Sequence, residues 1–170
     1  TNLTYLELHN NAIVDISPLV GLTNLTGLYL QDNMIVDISP LSGLTNLTYL
    51  NLHDNAIEDI SPLAGLTNLE QLSLNDNRIE DVGPLSGLMN LRYLYLNENA
   101  IEDMRPLAGL PHLTSLQLWG NPIYEPLAFA DAGLEAAVRD STQGGAPTCG
   151  SRDEQPRWDS PHPLEASGGG

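Results

Sequence analysis

The fold of this chain is decided by the stretch LTNLTYLNLHDNAIEDISPLAG, residues 44–65, because close copies of it follow one another along the sequence. The same pattern occupies residues 22–43, 66–87 and 88–109, and it can be traced before and after them. At this 22-residue offset, two Leu columns, an Asn column and an Ile column recur in six units, whereas Asp, Pro and Gly recur in five. A fixed period of this length indicates one small structural unit stacked many times.

Each unit predicts a short strand followed by a tight return path. The portion x-L-x-L-x alternates with period two, as in a strand with one buried face. The Pro and Gly that follow indicate turns, with 3₁₀ geometry expected. One unit cannot bury its Leu face alone, so neighbouring units must stack, with their strands about 4.8 Å apart in a parallel sheet.

This pattern resembles the leucine-rich repeat family in its short 22-residue subtype, which is found in internalin-like bacterial surface proteins and in phosphatase-regulatory repeat proteins. The resemblance implies an α/β solenoid. Its chain would form a right-handed superhelix with a parallel β-sheet on the concave face and 3₁₀ or turn segments on the convex face.

Three regions are expected along the chain. Residues 1–131 would form the array of six units, of which the last is degenerate and the first lacks an N-terminal cap. Residues 132–140 would form a short capping helix, since Asp131 can cap its N-terminus. Residues 141–170 are rich in Gly, Pro and Ser and would form a disordered tail.

The composition excludes several functions. The 22 acidic residues against 6 basic ones give a net charge of −16, and all the basic residues are Arg. Nucleic-acid binding needs cations for the phosphates, so it is not expected. No apolar run approaches the roughly 20 residues of a membrane-spanning helix. The single Cys excludes an internal disulfide and a zinc site with several thiolates. Sequence motifs of common enzymes are absent, so we expect a non-enzymatic protein without cofactor or metal. We also expect a monomer.

Two polar columns are interpreted as scaffold. The recurring Asn would be a buried amide that bonds to backbone groups of adjacent turns, which an irregular turn leaves unpaired. The recurring Asp precedes the Pro-containing turn, where its carboxylate can accept a hydrogen bond from the backbone N–H two residues later.

The variable strand positions are interpreted as the functional surface. By alternation, the residues that flank the two buried Leu of each strand point outward. Five of the chain's six Tyr and one of its two Trp fall in these positions. Exposed aromatic residues are typical of interaction hot spots. The predicted partner-binding residues are Tyr5, Glu7, His9, Tyr29, Gln31, Tyr49, His53, Tyr93, Tyr95 and Trp119.

An acidic edge runs beside these positions and would steer basic surfaces toward them. It consists of Asp32, Asp54, Asp76 and Glu98. His9 and His53 share a column, but their backbones would lie about 10 Å apart, too far to share one zinc ion without strain.

The leading hypothesis is a protein–protein interaction module that binds its partner, with basic partners favoured, on the concave sheet. The likeness to internalin-like arrays implies a larger bacterial surface or secreted protein, so an extracellular or cell-surface location is favoured over the cytoplasm. Three alternatives remain: a structural spacer, an intracellular scaffold like the phosphatase-regulatory arrays, and a carbohydrate-binding surface.

Overall fold

The computed structural model of the protein describes residues 2–123. Within this range six strands alternate with five 3₁₀ segments and there is no α-helix. The strands are β1 (Tyr5–Glu7), β2 (Gly27–Tyr29), β3 (Tyr49–Asn51), β4 (Gln71–Ser73), β5 (Tyr93–Tyr95) and β6 (Ser115–Gln117). The 3₁₀ segments are η1 (Ser17–Leu19), η2 (Ser39–Leu41), η3 (Ser61–Leu63), η4 (Gly83–Gly87) and η5 (Arg105–Gly109).

The six strands form one parallel sheet in chain order. Its register follows the sequence repeat, since Leu6 is opposite Leu28, Leu28 is opposite Leu50, and so on to Leu116. The predicted solenoid, with a parallel sheet on one face and 3₁₀ turns on the other, is confirmed. We number its units one to six, beginning at residues 1, 22, 44, 66, 88 and 110.

The core is a continuous column of Leu and Ile that runs through the interior of the array. In unit three, for example, Leu50, Leu52 and Ile57 are fully buried. The equivalent Leu6 and Leu8 of unit one are only partly buried, because they have a described neighbour on one side only. Burial therefore comes from the stacking of units and not from any unit alone.

The recurring Asn joins adjacent units as predicted. The Asn55 amide donates to the carbonyl oxygens of Leu30 (3.1 Å), Leu52 (3.1 Å) and His53 (3.2 Å). Its Oδ1 accepts from the backbone N–H of Ile35 at 3.0 Å. One side chain thus satisfies four backbone groups across two units, although Asn55 itself is half-buried and not fully buried as predicted. The same pattern recurs at Asn33, Asn77 and Asn99.

The recurring Asp lies two residues before each 3₁₀ segment and accepts a hydrogen bond from the backbone N–H of its first residue, as predicted. The Asp59 carboxylate accepts from the Ser61 backbone N–H at 2.8 Å and from its hydroxyl at 2.9 Å. These two bonds lower the pKa of Asp59. In unit five the Arg105 guanidinium takes the place of the hydroxyl and lowers the pKa of Asp103 to about 2.

No helix among residues 2–123 is long and apolar enough to cross a membrane. The predicted capping helix at 132–140 and the predicted tail at 141–170 lie outside the described residues, as do residues 124–131 of the array. Those predictions remain expectations.

Candidate functional site

The outward side chains of the strands form three columns, which together we call the concave face. The first column holds Tyr5, Gly27, Tyr49, Gln71, Tyr93 and Ser115, and the second holds Glu7, Tyr29, Asn51, Ser73, Tyr95 and Gln117. The third holds His9, Gln31, His53, Asn75, Asn97 and Trp119. All ten residues predicted to bind a partner therefore fall in these columns, either on the strands or, in the third column, two residues after a strand ends.

Three tyrosines form a continuous cluster at the N-terminal end of the concave face. The rings of Tyr5 and Tyr29 are 5.0 Å apart and tilted, and those of Tyr29 and Tyr49 are 4.8 Å apart and stacked. Burial raises the pKa of Tyr29 to about 12 and raises that of Tyr49 further. Gly27 makes room for the cluster, since a Cβ there would lie 2.7 Å from Cδ2 of Tyr5.

Further aromatic side chains lie at the C-terminal end of the face. Tyr93 and Trp119 keep 42% and 37% of their surface exposed, comparable to the 40% of Tyr5. Tyr95 is half-buried between them in the second column. The exposed rings thus lie at both ends of the sheet, with polar side chains between them.

The polar centre is more deeply buried than the alternation predicts. Asn51 and Ser73 point outward but have no exposed surface, and His53, Asn75 and Asn97 are at least nine-tenths buried. Outward orientation therefore does not mean exposure at these positions, and the expectation that the aromatic residues of these columns are exposed is wrong for Tyr29, which is 6% exposed. The physical reason is the strand spacing of about 4.8 Å, which makes side chains of neighbouring units cover one another.

Several of these buried polar atoms have no hydrogen-bond partner in the described part of the protein. They are Gln31 Oε1, Asn51 Nδ2, His53 Nδ1 and Asn97 Oδ1. Each such atom costs about 1–3 kcal/mol relative to a satisfied one. All four belong to the concave face, so this surface has unused hydrogen-bonding capacity that a polar ligand group could meet after small side-chain rotations.

The acidic edge has a backbone explanation that the sequence did not reveal. Asp32, Asp54, Asp76 and Glu98 all have φ between 50° and 56°. The equivalent residues of units one and six, Asn10 and Gly120, also have positive φ. Asn, Asp and Gly are the residues that tolerate this left-handed conformation. The carboxylates of this edge are thus partly selected by the turn, and Glu98 is the exception.

The two histidines of the third column each lie near a carboxylate. His9 Nε2 is 3.6 Å from Glu7, and His53 Nε2 is 3.8 Å from Asp32 across adjacent units. Within residues 2–123, no group of three or more His, Cys, Asp or Glu side chains is arranged to hold a metal ion. The face offers aromatic, amide, hydroxyl, imidazole and carboxylate groups for contact.

One exposed surface was missed by the sequence interpretation. Val14, Met34 and Val36 are each more than half exposed, on the flank that follows the strand. The signal was present in the aligned repeat, because the position of Val14 and Val36 is Glu in units three to five.

Three features define a leucine-rich repeat protein: a repeated parallel strand, 3₁₀ turns, and the row of recurring Asn side chains that join adjacent units, which we call the Asn ladder. The family model described as Leucine Rich repeats (2 copies) matches residues 1–43, 23–65, 45–87, 67–109 and 90–130. The chain therefore belongs to the leucine-rich repeat family. No match was found among curated protein sequences.

Solved structures of bacterial proteins resemble the chain closely. Internalin C2 of Listeria monocytogenes is 46% identical, with a TM-score of 0.68, over 68% of this chain and 51% of that one. An internalin F of the same species is 39% identical, with a TM-score of 0.66, over 68% of this chain and 34% of that one. A leucine-rich repeat protein of Leptospira interrogans is 30% identical, with a TM-score of 0.68, over 72% and 33%.

The chain thus spans about half of the first of these proteins and about a third of the other two. Proteins of this family generally mediate protein–protein interactions and are typically non-enzymatic binding scaffolds. The internalin neighbours are surface or secreted proteins.

Proposed function

We propose that the chain is a protein-recognition module whose concave face binds a protein partner. The observation that carries this proposal is the continuous contact of Tyr5, Tyr29 and Tyr49 across three units. The fold does not require these rings, because the same columns hold Gly27, Gln71 and Ser73, among others, on an identical backbone register. A set of aromatic residues that the scaffold does not need is best explained by recognition.

The three exposed rings are the proposed direct contacts. Tyr5, Tyr93 and Trp119 offer large apolar surface at low entropy cost, which is the chemistry of interface hot spots. Tyr29 contacts the Tyr5 ring and Tyr49 stacks on Tyr29. The unpartnered polar atoms of the centre would bond to main-chain or side-chain groups of the partner. Glu7, His9, Gln31, His53 and Tyr95 complete the proposed contact surface.

We further propose a bacterial surface or secreted location, because the internalin neighbours have one. We also propose a preference for basic partners, to which only part of the acidic charge contributes. The edge carboxylates occupy a turn position that selects Asp or Asn for its backbone, so only part of that charge serves recognition.

The experiment is affinity capture from cell extracts with three immobilised proteins. Tyr93→Ala/Trp119→Ala removes two exposed rings of the concave face, and Glu80→Ala/Glu102→Ala is the matched control on the outer side of the array. A partner should be captured by the wild type and the control but lost with the aromatic variant, while circular dichroism stays unchanged. Equal capture by all three proteins would remove Tyr93 and Trp119 from the interaction and contradict the proposed set of direct contacts.

A structural spacer is the second candidate, favoured by the near identity of residues 22–43 and 44–65. Replacing units two to four by units of the same length that keep the recurring residues but carry Ser at the outward strand positions separates the two functions. A spacer tolerates this exchange in the parent protein, whereas a binding module loses its partner because Tyr29 and Tyr49 are lost.

A further inference from the structure

The outer flank of units one and two differs from the same flank in later units. We define it by the residues just before and after the Ile that follows the ladder Asn; alternation with the buried Ile turns both outward. In units three to five the second of these positions is Glu58, Glu80 and Glu102. In units one and two it is Val14 and Val36, which are 58% and 54% exposed, and Met34 beside them is 58% exposed.

The fold does not require valine at the position of Val14 and Val36. The backbone of the flank is paired in the same way throughout, with Met34 N–H donating to Ile13 at 2.9 Å and Ala100 N–H donating to Ile79 at 2.9 Å. Later units place a solvated carboxylate on this backbone. Exposed clusters of large apolar side chains on a soluble protein mark interaction sites when the fold does not need them.

A groove of about 480 Å³ adjoins this apolar flank between units one and two. Val14, Val20 and Pro40 form its apolar walls, and Asp15 and Asp37 lie along it. Val20 is itself 65% exposed. The flank and groove together offer both a flat apolar area and a recess that can accept a side chain.

The charges around the flank are of one sign. The first Arg of the chain is Arg78, so units one to three contain no Arg or Lys. Each described Arg lies near a carboxylate of units three to five. Asp15 and Asp37 accept hydrogen bonds only from neutral Ser17 and Ser39 in the described contacts, so their negative charge is uncompensated near the groove.

We propose that the outer flank of units one and two is a second docking surface, which takes a protein segment whose apolar side chains are flanked by Lys or Arg. The apolar side chains would cover Val14, Met34 and Val36, and the cations would lie against Asp15 and Asp37. A second copy of this chain is the poorer occupant, because each copy carries a net charge of −16. The site is separate from the concave face and does not depend on its function.

The test measures fluorescence anisotropy with labelled synthetic peptides of three kinds. In one, Leu alternates with Lys; in the second, Leu alternates with Glu; in the third, Ser alternates with Lys. The Leu–Lys peptide should bind the wild-type chain, and the other two should bind at least about tenfold more weakly, because each lacks one of the two required features.

Val14→Glu/Val36→Glu is the decisive variant, because it gives units one and two the residue that later units carry. It should fold like the wild type, checked by thermal unfolding, and should weaken binding of the Leu–Lys peptide about tenfold. General attraction of a cationic peptide to an acidic protein predicts the opposite, since the variant adds two negative charges. Val14→Thr/Val36→Thr, which removes apolar surface without charge, should also weaken binding.

Three results would overturn the proposal. Binding of the Leu–Lys peptide could be unchanged or stronger with Val14→Glu/Val36→Glu, or the Leu–Glu peptide could bind equally well. Sedimentation could instead reveal wild-type dimers that this variant dissociates, which would make the flank a contact between copies. Tyr93→Ala/Trp119→Ala should leave peptide binding unchanged, so the outcome is independent of the concave face.

Discussion

Units one and two and units three to five share one backbone but carry different surfaces. In the first pair, tyrosines begin a stacked cluster on the concave face, the outer flank is apolar and no Arg is present. In the later units the flank is acidic, and three Arg lie beside carboxylates. The strand register and the Asn ladder continue through both regions without change.

This difference teaches how to separate scaffold from function within one chain. Every unit is a structural control for the others, because equivalent positions have the same backbone environment. A residue that recurs is explained by the fold, and one that changes at constant geometry needs another reason. The tyrosine cluster and the outer flank of units one and two both consist of residues that change at constant geometry, so the fold does not explain them.

The largest expected effect concerns the Asn ladder in the two regions. Asn77→Ala in unit four leaves three carbonyl oxygens and the Ile57 N–H without their partner, so it should lower the free energy of unfolding by about 4 kcal/mol. Asn11→Ala in unit one removes only two exposed bonds and should cost about 1 kcal/mol. Urea denaturation measures both, and equal losses would show that the ladder does not depend on stacking.

The next effect concerns the acidic edge, whose residues have positive φ. Glu98→Asn should raise the free energy of unfolding by about 1 kcal/mol, because Asn tolerates the φ of 50° better than Glu does. Asp54→Asn, at the same position of unit three, should change it little, since Asp already suits this conformation. A loss of stability in Glu98→Asn would mean that the Glu98 carboxylate, which lies over Gly120, makes a stabilising contact.

A smaller effect tests the tyrosine cluster of the N-terminal units. Gly27→Ala places a Cβ against the Tyr5 ring and should break its contact with Tyr29, at a cost of about 1 kcal/mol and with a changed near-ultraviolet circular dichroism. Gly43→Ala is the matched control, because no heavy atom lies within 4 Å of its Cβ. Its spectrum should match the wild type, and an unchanged spectrum in both variants would contradict the ring contact.

The smallest effect is the change of folding stability at low pH that Asp103, a member of the recurring Asp column, causes. The Asp103 carboxyl keeps a pKa of about 2 in the folded chain, below its ordinary 3.8. Folding is therefore favoured by this group above about pH 4, and the benefit is lost as the pH falls toward 2. Asp103→Asn should make the urea midpoint less dependent on pH in this interval. Identical pH profiles would show that the Arg105 contact is not maintained in solution.

The scaffold could be predicted from the sequence because its rules are local and repeated. Alternation around Leu50 gave the strand and its buried face, and the spacing of Asn55 and Asp59 gave their backbone partners. Burial of the concave centre could not be predicted, since Asn51 and His53 are covered by side chains of neighbouring units that alternation ignores. The charge of Asp54 was interpreted as a binding feature because sequence does not reveal a positive φ.

The most direct test of the central claim is the affinity of the captured partner for purified variants, measured by calorimetry. The concave-face account predicts that Tyr93→Ala/Trp119→Ala weakens binding by about 100-fold or more, as the loss of two hot-spot residues should. It predicts no change for Glu80→Ala/Glu102→Ala. Undiminished affinity in Tyr93→Ala/Trp119→Ala, or a loss of affinity confined to Glu80→Ala/Glu102→Ala, would contradict it.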